Sequence, residues 1–304
     1  MLFPIVVLLP LLPTIIIIHN LDNSTPDYDF SYLPVTPSLA LSYIIVFTFT
    51  TVLLSRLLQR GIKPGKYPIY SMFYVRKWFT DQLMSLSLIV LHPLYATVYV
   101  SLLFRALGAK VGNNTEISTA SSVTHPLLEI GADAFVADAV TLGEADVRGQ
   151  QLILDKTVIG NNSFVGNSAL IPQGYHLPDR MLIGVLSTPP NGEQLASQEA
   201  RDWFGSPAIP LPRRQESRTF AATQTLRPTP GRLLGRSIVE FIRIILPETV
   251  ILICSILFIA YAHSLLVEMT WWESLVELPF YFLFFMGLAA MLVTVALKWN
   301  VVGK

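Results

Sequence analysis

Hydrophobic positions along the chain follow two patterns. The first is continuous. Residues 2–18, 39–58, 244–262 and 278–297 are almost wholly apolar, and each approaches the roughly 20 residues that a membrane-spanning helix needs. Pro4, Pro10 and Pro13 interrupt the first run, which makes it the weakest of the four spans; Pro247 and Glu248 stand near the start of the third. A fifth run, 83–104, carries Ser85, Ser87, His92, Pro93, Thr97 and Ser101. It predicts a helix, or a pair of helices, packed on the central domain or lying in the membrane interface rather than spanning.

The second pattern has a period of six. Aliphatic anchors fall at Val111, Ile117 and Val123, resume at Ile130, Val136 and Leu142, and continue at Val147, Ile153, Ile159, Val165, Ile171, Leu177 and Ile183. Only the steps into Ile130 and Val147 depart from six, by one residue each. A helix needs a period near 3.6 and an ordinary strand needs 2. Period six fits a triangular coil of three short strands, with the anchor inside and a compact residue at each corner. Stacked coils then bury one aliphatic core. The predicted fold is a left-handed parallel β-helix of about four coils, flanked by membrane helical hairpins. The glycosylation-like triplets Asn113-Asn114-Thr115 and Asn161-Asn162-Ser163 read as corners that tolerate left-handed backbone.

Charge orients the spans. The 19–37 loop holds Asp22, Asp27 and Asp29, and the 263–277 loop holds Glu268, Glu273 and Glu277, without Lys or Arg in either. Arg56, Arg60, Lys63, Lys66, Arg76 and Lys77 lie on the other side, with the arginines of 213–236 and Lys298 and Lys304. The positive-inside rule then places the β-helix and both termini in the cytosol. The first run lacks a basic start and a cleavage site, so it reads as an anchor rather than a signal peptide. The organisation expected is a membrane hairpin over 1–64, connecting helices over 65–105, the β-helix over 106–190, a basic Pro-rich linker over 191–236 and a second hairpin over 237–304. Charged residues make up 14% of the 304 residues and the net charge is zero, so nothing suggests nucleic acid as a partner. The single cysteine, Cys254, forms no internal disulfide.

The start of the repeat, Leu102-Leu-Phe-Arg-Ala-Leu-Gly-Ala-Lys-Val-Gly112, resembles that of hexapeptide transferases. Four stretches together resemble the membrane-embedded C-terminal region of polylysine-synthetase-type nonribosomal peptide synthetases. They are Lys66-Tyr-Pro-Ile-Tyr-Ser71, Ser163-Phe-Val-Gly-Asn-Ser-Ala-Leu-Ile-Pro172, Leu182-Ile-Gly-Val-Leu-Ser-Thr-Pro-Pro190, and Asp202-Trp-Phe-Gly-Ser-Pro207 with Leu211-Pro-Arg-Arg214. The resemblance covers roughly 38–304. It implies amino acids joined by isopeptide bonds, from a phosphopantetheine thioester on a separate carrier domain, with an adenylation domain upstream. This chain holds neither of those domains, and one β-helix block where the family has several. The segment Lys298-Trp-Asn-Val-Val-Gly-Lys304 echoes 56–66 and reads as the start of a second unit. A lone block is therefore expected to self-associate or to belong to a longer chain.

Amide formation from a thioester needs a base for the amine proton and donors for the oxyanion. His125, at the break after Val123, and His176, at a corner, are the candidate bases. Asp133, Asp138 and Glu144 are candidate carboxylates for a cationic acceptor. Structural corner residues and a solvated flank are the competing readings. The arginines Arg201, Arg213, Arg214, Arg218, Arg227, Arg232 and Arg236 suggest docking to a carrier domain or anionic lipid, or a plain juxtamembrane linker. No nucleotide loop or metal-ligand spacing is present. The alternatives to an amide-forming unit are an acyl-CoA-dependent acyltransferase and a non-catalytic scaffold.

Overall fold

A computed structural model describes residues 2–22, 30–192, 202–212, 228–266 and 270–299. Most of the arginine-rich linker, Asp27, Asp29 and Glu268 of the acidic loops, and the end of the C-terminal echo lie outside these residues. The chain divides into two compact units, 1–3 with 47–240, and 4–46 with 241–304.

The first unit is built on a parallel β-helix with three faces. On one face Lys110–Val111, Leu128–Ile130, Thr157–Ile159 and His176–Leu177 stack in parallel. On the next, Glu116–Ile117, Phe135–Val136, Phe164–Val165 and Leu182–Ile183 stack, and Asp202–Phe204 extends the ladder. The third face holds Ala120–Ser121, Val140–Leu142 and Leu170–Ile171. Ile130, Val136, Leu142, Ile159, Val165, Ile171, Leu177 and Ile183 are all buried, as the period requires. Asn114, Asp133, Asn162 and Arg180 occupy one stacked corner with φ between 54° and 61°. Beside it the backbones approach so closely that a Cβ on Gly131 would stand 2.6 Å from the Asn161 nitrogen. Here glycine is a steric requirement.

Two of the thirteen expected anchors do not belong to the β-helix. Val147 and Ile153 stand on an antiparallel hairpin, Asp146–Arg148 with Gln151–Leu154, inserted into the second coil. Ile130 consequently pairs with Ile159, 29 residues on, whereas Ile159 pairs with Leu177 after 18. On the hairpin Leu152 and Leu154 are the buried residues, at strand period 2, and Val147 is exposed. A further strand, Gly65–Pro68, pairs antiparallel with the hairpin. Tyr67 and Phe73 stack beside it at 3.8 Å, and both pack on the cluster of Leu127, Leu152 and Leu154.

Helices flank this frame. The run 83–104 does not make one continuous helix. It is divided between α4 (Met72–Val90) and α5 (Val100–Leu107), separated by a 3-10 turn at His92–Leu94 and a left-handed residue at Ala96. Ser71 caps α4 by accepting from the Tyr74 N–H. Three arginines tie these elements together: Arg56 donates to Ala106 O at 2.6 Å, Arg76 to Leu58 O at 2.9 Å, and Arg105 to Gly112 O of the β-helix at 2.7 Å. The first two meet carbonyls in the last turn of a helix, acceptors that the helix leaves open.

The second unit is helical. Among the described residues of the whole chain, three helical stretches are long and apolar enough to cross a membrane: Leu33–Leu58, Pro230–His263 and Trp271–Leu297. Among the described residues the fourth expected span is a shorter apolar helix, Pro4–Asn20, with Pro10 inside a 3-10 turn. No residue of Trp271–Leu297 is buried within the chain, which suits contact with lipid. Thr270 and Glu273 form a capping box at its start.

Candidate functional site

The slip in the repeat after Val123 builds the site. The chain leaves the third face at Ser122, in left-handed backbone with φ 58°, and makes a 3-10 turn over His125–Leu127 before the next coil. That turn swings His125 inward. Its side chain is only 3% exposed and meets Phe104 edge to face, with ring centroids 4.9 Å apart. Nδ1 is fully buried without a hydrogen-bond partner. Burial, with the Lys77 charge adding to it, pushes the imidazole down to about 3, so the ring is neutral at physiological pH.

Helix α4 supplies the facing wall. Its buried stripe is polar, Lys77, Thr80 and Ser87 around Leu83. Lys77 is 3% exposed and its Nζ lies 2.5 Å from Asp81 Oδ1. Burial raises Asp81 above the ordinary carboxylate range, while the attraction and hydrogen bond of Lys77 pull it back. His125, Lys77 and Asp81 line one cavity of about 420 Å³, closed by Tyr95, Ser121 and apolar side chains, with Glu144 also on its wall. This volume lies in the range of small-molecule sites. The arrangement offers a neutral imidazole able to take a proton, one cation and two carboxylates beside apolar walls.

The other candidates lie elsewhere. His176 is exposed on the outer side of the first face, beside Val158 in the ladder. Asp133 is a corner residue that accepts from the Asn114 amide at 3.3 Å. Asp138 accepts from the hydroxyls of Ser118 and Thr119 at the next corner. Their partners are those of β-helix corners. Of the five residues singled out from sequence, His125 and Glu144 share the cavity. Lys77 and Asp81 were missed as a pair. The spacing, a Lys and an Asp four residues apart with Thr80 and Ser87 on the same helical stripe, marks a polar stripe on α4 but not what that stripe faces.

No protein-family model matches the chain. Over 97% of its length it is 35% identical to the delta-poly-L-ornithine synthetase of Acinetobacter baumannii (strain AB307-0294). The chain is homologous to a segment of that synthetase. It spans 23% of the relative's length. Two solved structures show local similarity: a hexapeptide-repeat acetyltransferase of Vibrio cholerae, 12% identical with a TM-score of 0.30, and a maltose O-acetyltransferase of Clostridium difficile 630, 14% identical with a TM-score of 0.28. They cover 57% of this chain each, and 93% and 89% of their own chains.

Proposed function

We propose that the chain is a membrane-bound acyl- or aminoacyl-transfer unit that forms an amide bond in the cavity beside His125. The observation that carries this reading is the convergence of a buried, neutral histidine and a buried Lys77–Asp81 pair on one cavity. Homology to a segment of a polyornithine synthetase supports the reaction class. The donor in this reading is a thioester on the phosphopantetheine arm of a carrier domain, supplied by an adenylation and carrier module in the same or another chain.

The chemistry follows from the groups present. The acceptor amine attacks the thioester carbonyl, a C–N bond forms, and the C–S bond breaks. The neutral His125 imidazole takes the proton that nitrogen loses and returns it to the departing thiolate, leaving an amide and a thiol. A pKa depressed to about 3 makes the free imidazole a weak base, so the transfer accompanies C–N bond formation, which acidifies the attacking nitrogen. Lys77 is the only cation lining the cavity among the described residues, and it is the group to face the developing oxyanion. Asp81 holds Lys77 in place. Glu144 receives the ammonium of an approaching acceptor, which gives up one proton to solvent before it attacks as the free amine. We also read the β-helix as left-handed and, with both termini, cytosolic, so that a soluble carrier reaches it.

The experiment is reconstitution of the chain in lipid with a charged carrier and a free amine, followed by detection of amide product. His125→Gln is expected to lower the rate by about 10²–10⁴-fold. Product from acyl-CoA but not from the carrier would replace the donor. Absence of product with either would favour a scaffold.

A further inference from the structure

We propose that the membrane unit contains a site for a primary alkylammonium, with Glu248 as its counter-ion. After α1 (Leu2–Leu8) come three longer helices of the membrane region, α2 (Leu12–Asp22), α3 (Thr36–Leu58) and α6 (Pro230–Leu266). Within the membrane unit, residues of these three helices enclose a cavity of about 660 Å³. Its walls are aliphatic apart from Thr14, His19, Tyr43, Ser255 and Glu248. Among the described residues no Lys or Arg lines it. Glu248 is half-buried inside the candidate span Pro230–His263, and no hydrogen bond or ion pair within the described residues reaches its carboxylate.

A carboxylate at membrane depth is costly and is retained where a partner neutralises it. Among the described residues the His19 imidazole is the one basic side chain on its walls, and it bonds elsewhere or titrates, so the permanent charge missing from the cavity is a cation. An ammonium has three donors and no acceptor. The carboxylate can take one, and the hydroxyl oxygens on the same walls offer acceptors for the others. The aliphatic lining suits a hydrocarbon stem. From Glu248 to Ala260 the cavity follows α6 for about 18 Å at roughly 1.5 Å per residue, which accommodates an extended stem. A neutral lipid tail would fill the walls and leave the carboxylate without a partner. An anion would be repelled.

The test uses the full chain in lipid nanodiscs with a photoreactive decylammonium and its uncharged decanol analogue. Saturable labelling by the cation is expected on peptides of α2, α3 or α6. Glu248→Gln should reduce it by about ten-fold or more, and Glu248→Asp should retain it. Ile256→Trp, which fills the cavity, should abolish it. Equal labelling of Glu248→Gln, equal competition by decanol in the unaltered protein, or labelling insensitive to Ile256→Trp would each overturn the site. Should Glu248→Gln fail to fold, the decanol competition and Glu248→Asp decide the question alone. Because amide formation is not the readout, failure here is separate from failure of the reaction proposed for His125.

Discussion

His125 stands edge-on to Phe104, with ring centroids 4.9 Å apart and planes at 70°, so a helix flanking the β-helix holds the imidazole that the broken repeat turns inward. The contact joins α5 to the turn after the third strand, two elements that sequence reading treats separately. It also explains the burial of the ring, and burial sets its acid–base behaviour.

Stability should depend on pH through that ring. The folded imidazole gains a proton only near 3, whereas the unfolded one gains it near 6.5. Between these values the unfolded chain binds more protons, so the stabilisation from neutral His125 is complete above 6.5 and is lost as pH falls toward 3. Asp81, raised by burial, has the opposite sign, its contribution falling as pH rises through its folded value. Thermal unfolding in detergent between pH 7 and pH 4.5 should therefore show a decline that His125→Gln reduces.

The same burial shapes the rate profile. An accessible histidine base gives an inflection in kcat/KM near 6.5. With His125 neutral in the free protein down to about 3, no inflection from this residue is expected between pH 5.5 and pH 8. A histidine-dependent inflection at 6.5 would place the base elsewhere.

Lys77 and Asp81 should behave as a pair. Lys77→Met leaves Asp81 facing the cavity without its partner. The expected cost is about 1–3 kcal/mol, below that of a fully buried pair because the Asp81 side chain is 39% exposed. Adding Asp81→Leu should recover part of the stability but none of the activity. A double-mutant cycle in urea reads the coupling, and additive losses would contradict the pairing.

The corner geometry sets a contrast between two glycines. Gly131→Ala forces a Cβ against the Asn161 backbone and should cost at least about 1–3 kcal/mol. Gly149→Ala, at the hairpin turn with φ +55° and nothing within 4 Å, should cost about 1–2 kcal/mol of backbone strain alone. Melting temperatures of the two variants check the order.

Orientation is testable by labelling. In a Cys254→Ser background, Gln150→Cys on the hairpin should react with an impermeant maleimide only from the cytosolic side. Trp271→Cys, at the start of the last span, should react only from the opposite side. Reaction of both from one side would contradict the proposed topology.

Much of this was legible in the chain. Period six located the β-helix because each coil must place one aliphatic residue inward at each face. It failed from Val147 to Ile153, where an antiparallel hairpin happens to space two apolar residues six apart. The true inward pair, Leu152 and Leu154, follows strand period instead. His125 was legible because it sits at a break in the period. Lys77 and Asp81 were not, because their role depends on α4 packing beside that break, a contact between residues about 45 apart in sequence. The first apolar run forms a helix shorter than the other three candidate spans, interrupted by a 3-10 turn at Leu9–Leu11 that contains Pro10.

The most direct measurement compares amide formation by His125→Ala and His176→Ala with that of the unaltered chain, using a carrier-bound aminoacyl thioester and saturating amine. The expected result is a loss of about 100-fold or more for His125→Ala, with His176→Ala at the unaltered rate. Equal rates for His125→Ala and the unaltered chain would contradict the assignment of the cavity as the place where the bond forms.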